Sequence, residues 1–387
     1  MLDPAIIPLS LYVHLPWCVR KCPYCDFNSH ELRGTLDEAA YIDALVRDLA
    51  HDARDIGGRE VQTIFFGGGT PSLFAPESIA RLLAKVRETV NVAADAEITL
   101  EANPGTVDVA RFRGYRDAGV NRLSIGIQSF DPAKLAALGR IHGRDEALNA
   151  AAAARAAGFD NFNLDLMYGL PDQTVDAAVN DLDTALAQAP THLSVYQLTL
   201  EPNTAFYAKP PALPDDDTQW AMQEALQARL RAHGYVQYEV SAYARPGFQC
   251  RHNFNYWAFG DYLGIGAGAH AKLTGASDVR RAQKPRHPRA YLAGDRDAIE
   301  RRTLTEPERV FEFLLNAMRL TEGVPARVFV ERTGLTLARL DPKLATAQNR
   351  GLIAASSGDR IAPTSLGQRY LNDLLLLFLP NTPDTAA

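Results

Sequence analysis

From residue 10 onward, short runs of apolar and β-branched residues alternate with stretches whose apolar positions recur every three to four residues. The runs SLYVHL (10–15), VQTIFF (61–66), EITLEA (97–102), RLSIGIQ (122–128), FNLDLMY (162–168) and LSVYQLTL (193–200) predict strands. They begin roughly 25 to 50 residues apart, enough for a crossover helix in each βαβ unit. Thr35 to Leu49 reads as one such helix, opening on a Thr35–Glu38 capping box with apolar positions at Tyr41, Ile42, Leu45 and Leu49. Another helix starts with Asp131 as N-cap and Pro132 at its first position.

Alternating βα units predict a parallel sheet covered by helices, either doubly wound or rolled into a partial barrel. The unusual residues select the barrel. A cysteine loop follows the first strand and GGGTPS the second, while Glu101-Ala-Asn-Pro and Gln128-Ser-Phe end the third and fourth, and Gly169-Leu-Pro follows the fifth. Polar and glycine-rich signals at successive carboxyl ends make a barrel's active face; a doubly wound sheet would gather them at one switch point. Beyond about residue 245 the pattern breaks. FGDYLGIGAGAH (259–270) reads as a glycine-rich connection, and from Thr305 helical runs and a short DRIAP strand suggest a small α-rich, winged-helix-like module closed by a helix at SLGQRYLNDLLLLFL. The expected divisions are a core barrel over 1–245, a connecting segment over 246–300 and a smaller α-rich C-terminal domain over 301–387.

Composition narrows the class. The 387 residues are 47% hydrophobic and 22% charged, as in a globular protein, and the net charge of −6 argues against a nucleic-acid partner. Arg280 to Arg289 (RRAQKPRHPR) reads as a solvated loop, with a dock for carboxylates or phosphates as the alternative. MLDPAIIPLS lacks signal-peptide character and LLLLFL (374–379) is too short to cross a bilayer. With four cysteines, three of them crowded together, metal or redox chemistry in a reducing cytoplasm is the expectation rather than disulfides.

Those three are Cys18, Cys22 and Cys25, in a C-x3-C-x2-C loop stiffened by Pro23. Spacing alone leaves two readings. One is zinc with His14 or His30 as fourth ligand; the other is an iron–sulfur cluster with three protein ligands and one open iron site.

CVRKCPYC, with Tyr24 just before the last cysteine, resembles the radical SAM signature. YVHLPWC, FFGGGTPS, EANPGT, SIGIQSF, LGRIH and NLDLMYGLP are similar to the branch containing oxygen-independent coproporphyrinogen III oxidases, from Leu11 to about His270. The resemblance implies a partial (β/α)6 TIM-like barrel and a 4Fe–4S cluster on the three cysteines. It also implies S-adenosylmethionine, cleaved by the reduced cluster to methionine and a 5′-deoxyadenosyl radical. Gly68, Gly69 and Thr70 would let backbone groups approach that cofactor; the plain alternative is a strand-to-helix turn. Glu101, Gln128, Arg140 and Asp165 match family positions that contact it, and Tyr12 and Tyr24 would flank it. Taken singly, each also fits an ordinary cap, surface charge or core aromatic.

Two departures divide the branch. The oxidases carry a further cysteine two residues after the third ligand, where this chain has Phe27. The stretch His252-Asn253-Phe254-Asn255-Tyr256-Trp257 resembles the H-N-x-x-Y-W motif of the HemW group of haem chaperones. That resemblance implies haem as cargo, with His252 toward iron and Tyr256 and Trp257 as flat faces. Its alternative is a satisfied core histidine beside packing aromatics. Cys250 is a second conceivable thiolate ligand or an inert buried thiol. The expected function is therefore a haem carrier delivering to apo-haemoproteins, with an oxidase decarboxylating coproporphyrinogen III as the alternative. A dimer and peripheral membrane contact through partners stay open.

Overall fold

The computed structural model describes residues 2–295, 297–355 and 359–380. Six strands appear where the alternation places them: β1 Leu9–Leu15, β2 Val61–Gly68, β3 Val92–Ala102, β4 Arg122–Gln128, β5 Phe162–Tyr168 and β6 His192–Gln197. They pair in parallel in that order, and their helix-facing residues (Leu11, Val13, Ile64, Phe66, Leu100, Ile125, Leu164 and Leu193 among them) form one buried core with the covering helices. The helices are α1 Glu38–Asp52, α2 Pro76–Thr89, α3 Val109–Ala118, α4 Pro132–Ala137, α5 Arg144–Ala156, α6 Val175–Ala187 and α7 Asp216–Ala232. Short β8 Ala242–Ala244, antiparallel to β6, and β7 Val236–Gln237, antiparallel to β8, close this side.

The start of α1 differs from expectation. Asp37, not Thr35, is the N-cap, accepting from Ala40 N at 3.0 Å. The Glu38 carboxylate instead accepts from Ala75 N (2.9 Å), tying the helix to the loop before α2. Asp131 and Pro132 open α4 as expected.

The sheet also continues where the sequence seemed to lose its period. After α8 (Arg251–Trp257), β9 Asp261–Ile265 pairs in parallel with the free side of β1. Beyond it β10 His270–Thr274, β11 Val279–Gln283 and β12 Glu300–Thr303 add antiparallel strands, giving the order β12-β11-β10-β9-β1-β2-β3-β4-β5-β6-β8-β7. The expected solvated basic loop is thus partly strand β11, and Lys284 within it is buried against Asp48 (2.5 Å) and Asp52 (2.7 Å) of α1.

A second core forms from Leu2, Tyr238, Phe259 and Val279 together with C-terminal helices, where Phe313 meets Phe259 and Phe329 edge-on. The C-terminal part is α-rich, with one two-stranded sheet (Val324–Pro325 with Arg360–Ile361). Its last apolar run is two short helices, Ser365–Arg369 and Leu371–Leu376, broken at Tyr370, rather than one. Among the described residues no helix is long and apolar enough to cross a membrane.

Candidate functional site

Two adjoining cavities open at the carboxyl ends of the parallel strands. The first, about 150 Å³, is lined by Cys18, Cys22 and Cys25 together with Tyr24, Gly68, Gly69, Thr70, Glu101, Gln128, Arg140 and Asp165. The strand-end residues singled out in sequence therefore meet the cysteine loop in space. The loop is held close by backbone: Gly69 N donates to Leu15 O (2.8 Å) and Thr70 N to Trp17 O (2.7 Å). A Cβ on Gly69 would lie 2.5 Å from Trp17 O, and one on Gly68 would lie 2.6 Å from the His14 ring, so only glycine permits this approach.

The polar inventory of this cavity is unfinished, as a ligand cradle's would be. Gln128 sits at φ 64°, costly for a residue with a Cβ, and its buried Oε1 has no partner; neither has Arg140 Nε. The Arg140 fork otherwise donates to Gly126 O (2.8 Å) and Cys22 Sγ (3.6 Å). Glu101 accepts from Gly68 N (3.2 Å); burial, then the nearby Asp165, pushes its pKa up to about 8. Burial likewise raises Asp165, although Asn163 (2.8 Å) and Ser124 (3.2 Å) donate to it. Two carboxyls raised together suit a cationic or hydroxyl-bearing guest that would let them ionise. Burial raises the Cys18 thiol, eased by the Thr70 hydroxyl, so metal binding there is coupled to proton release.

The donor set fits a cluster better than zinc. Of the imidazoles proposed as a fourth zinc ligand, His14 has both nitrogens committed, Nε2 donating to Asn28 O (2.8 Å) and Nδ1 bonded to the Tyr12 hydroxyl (3.0 Å), while His30 Nε2 donates to Arg286 O (3.3 Å) beside the His287 ring. Among the described residues, no three His, Cys, Asp or Glu side chains converge as a single-ion site.

The second cavity, about 520 Å³, is lined by His252, Tyr256, Trp257, Phe65, Tyr262 and Tyr12 among others. Tyr12 thus lines this cavity rather than the one holding the cysteines. Phe27, Gly68 and Glu101 border both. Phe27 is 64% exposed, an apolar ring at the shared boundary.

The motif helix α8 is fixed at its N-terminus by Glu97, which accepts from Arg251 N and His252 N (both 3.1 Å). His252 is 1% exposed, with Nδ1 bonded to Thr63 Oγ1 (2.8 Å) and Nε2 to the Tyr256 hydroxyl (2.9 Å). Burial, then Arg122, lowers its pKa to about 3, so the ring is neutral. Trp257 lies beneath the Arg319 guanidinium, 4.3 Å from its ring centre. Cys250 is 1% exposed, burial pushes its thiol up to about 12, and it lines neither cavity; it is the inert alternative.

Sequence reasoning missed Ser124, Gly126 and Tyr196 in the first cavity and Asn28, His270 and Lys272 in the second, while Arg286 there belongs to the basic stretch it had singled out. The i, i+2 series Ser124-Gly126-Gln128 on β4 was a usable signal, since small and polar residues share one strand face. The others arrive through long-range pairing.

The radical SAM superfamily profile matches residues 12–185, and that of the HemN C-terminal domain matches 304–370. The chain is 51% identical to the heme chaperone HemW of Escherichia coli over 373 residues, covering 96% of this chain and 98% of that one. It is 34% identical to HemW of Bacillus subtilis over 381 residues, covering 96% and 99%. The solved structure of E. coli coproporphyrinogen III oxidase (HemN), a radical SAM enzyme, superposes with a TM-score of 0.81 at 26% identity, covering 96% of this chain and 90% of that one. With half its residues identical to a HemW over nearly the whole of both chains, this chain belongs to the HemW family within the radical SAM superfamily.

Proposed function

We propose that this chain is a cytoplasmic haem carrier that binds haem in the 520 Å³ cavity and hands it to apo-haemoproteins. The observation that carries this reading is the aromatic cavity beside the cysteine cavity, joined at Phe27, Gly68 and Glu101, in a chain so similar to proteins named as heme chaperones. Cys18, Cys22 and Cys25 would hold a 4Fe–4S cluster. Glu101, Gln128, Arg140 and Asp165 would hold S-adenosylmethionine: the carboxyls toward its amino group and ribose, the free Gln128 Oε1 and Arg140 Nε toward its polar edges. When bound, cluster and cofactor supply one-electron sulfonium cleavage.

The chain's own part is to bind, orient and shield. Phe65, Tyr256, Tyr262 and Trp257 offer apolar faces to a flat macrocycle. Within the basic stretch, Arg280 is paired with Asp278, Arg281 with Glu312, and Lys284 with Asp48 and Asp52. Arg286 lines the cavity with no carboxylate partner among the described residues, so its fork suits a haem propionate. Phe27 disfavours the oxidase alternative, because a phenyl ring can neither give up a proton nor form a thiyl where the oxidases place a thiol.

The test is an anaerobic haem titration of cluster-reconstituted protein, followed by mixing with an apo-haemoprotein. Saturable binding near one haem per chain, with transfer, is the expected result. Absence of haem binding, or turnover of coproporphyrinogen III, would return the chain to the oxidases. Colourless protein after anaerobic purification would reinstate zinc.

A further inference from the structure

Three imidazoles line the 520 Å³ cavity: His14, His252 and His270. A haem iron needs a ring nitrogen with a free lone pair. His14 has none to give. Its Nε2–H donates to Asn28 O (2.8 Å), and Nδ1 therefore accepts from the Tyr12 hydroxyl (3.0 Å). His252 has both nitrogens committed to Thr63 and Tyr256, and its ring is stacked 5.0 Å from Phe65 and set edge-on 4.8 Å from Tyr256. To reach iron it would have to break one of those bonds and leave a packed site.

His270 differs on every count. It is exposed, opens β10, and its ring makes no hydrogen bond among the described residues. The backbone beneath it is nonetheless fixed. His270 pairs with Gln283 of β11, Ala269 N donates to Gly266 O (3.0 Å), and Lys284 N donates to Ala269 O (2.9 Å). Gly264 of β9 packs so closely that a Cβ there would lie 1.9 Å from His270 O. A free ring on a rigid strand is the arrangement that presents a ligand well. Partial desolvation of the ring at the cavity wall, then the Arg281 and Arg286 guanidiniums, lowers its pKa and favours the neutral, ligating form.

Resting on the carrier reading above, we propose that His270 supplies the axial nitrogen to the iron of bound haem. His252 is then a strut that holds Tyr256 and Thr63 in place, a positioning residue within the motif. The edge of the macrocycle facing Arg286 would carry the propionates, so ligand and counter-charge come from one hairpin, β10–β11 and the turn after it.

The test compares full-length wild type, His270→Ala, His270→Met and His252→Gln by haem titration. Difference spectra against haem-free protein and electron paramagnetic resonance of the ferric state report the ligand. His270→Ala is expected to weaken haem binding at least about tenfold and to move the iron to a high-spin spectrum that free imidazole restores. His270→Met should give a shifted spectrum of its own, which a merely structural role would not produce. His252→Gln should keep the wild-type spectrum while melting at lower temperature. Wild-type spectra from both His270 variants, or loss of the wild-type spectrum in His252→Gln alone, would overturn the assignment. Failure of the wild type to bind haem would instead sink the carrier reading, and the assignment with it.

Discussion

The wall of the larger cavity depends on a buried ion pair, and Asp261→Asn is the perturbation that reads it. Asp261, first residue of β9, is fully buried and accepts four bonds: from Arg59 Nη1 (2.8 Å), Lys272 Nζ (2.9 Å), Thr274 N (3.0 Å) and Thr274 Oγ1 (2.8 Å). Lys272, 1% exposed, lines the cavity and also donates to Phe259 O (3.0 Å). An asparagine offers one acceptor oxygen and turns an NH2 toward the remaining donors. Two buried donors lose their acceptor at about 1–3 kcal/mol each, in line with the ~3–5 kcal/mol typical of breaking a buried pair from one side. At about 2 °C per kcal/mol for a chain of this size, the melting temperature should fall by about 6–10 °C.

The deficit must also depend on pH. Even with its partner, burial holds the Lys272 ammonium down to about 8. Without Asp261 its folded pKa falls further, while the unfolded value stays near about 10.4. Between those values the unfolded chain binds more protons, so the variant's stability rises with pH. The deficit is therefore expected to be largest near pH 6 and to narrow toward pH 9. Lys272→Met in the variant background should recover at least about half of the loss by removing the stranded charge. Thermal melts across that pH range, on all four members of the cycle, are the assay. A deficit below about 1 kcal/mol, no pH dependence, or no recovery with Lys272→Met would refute the reasoning.

Glu101 titrates in the opposite sense: its folded pKa of about 8 lies above the unfolded value, so its contribution is present at acid pH and is lost as pH rises through about 8. Glu101→Gln should stabilise cofactor-free protein by at least about 1 kcal/mol at pH 8 and weaken S-adenosylmethionine binding about ten- to hundredfold, read by melts and calorimetry from pH 6 to 9. Phe27→Cys should leave stability within about 0.5 kcal/mol, since the ring is 64% exposed. Its haem affinity should drop about three- to tenfold from the lost aromatic face, without gain of decarboxylation; unchanged affinity would remove Phe27 from the haem wall. Gly69→Ala pushes a methyl into the backbone at Pro16 and Trp17 (2.7 and 2.5 Å) and should displace the cysteine loop, cutting iron and sulfide content while far-ultraviolet circular dichroism persists.

The barrel half, and the residues that gather at its mouth, were legible in local sequence. Short apolar and β-branched runs placed all six parallel strands to within a few residues, because each strand carries its own row of large apolar side chains packed on the covering helices. The spacing of Cys18, Cys22 and Cys25, and the polar residues at successive strand ends, were local signals too, and the barrel brings them together. What lies on the other side of β1 was decided only in three dimensions. β9 is five residues long with a glycine inside, and its partner Leu9–Val13 is some 250 residues away in sequence. Nothing local marks Lys284 as buried, because the carboxylates that neutralise it, Asp48 and Asp52, sit on α1. The histidines show the same division. Sequence points to His252 through its motif, but whether a ring nitrogen is free is settled by long-range neighbours: Thr63 on β2 takes one of His252's nitrogens and Tyr256 the other, while His270 keeps both. Local sequence encodes periodicity and turn chemistry; the satisfaction of a buried charge or imidazole belongs to the packed chain, where its partners come from elsewhere.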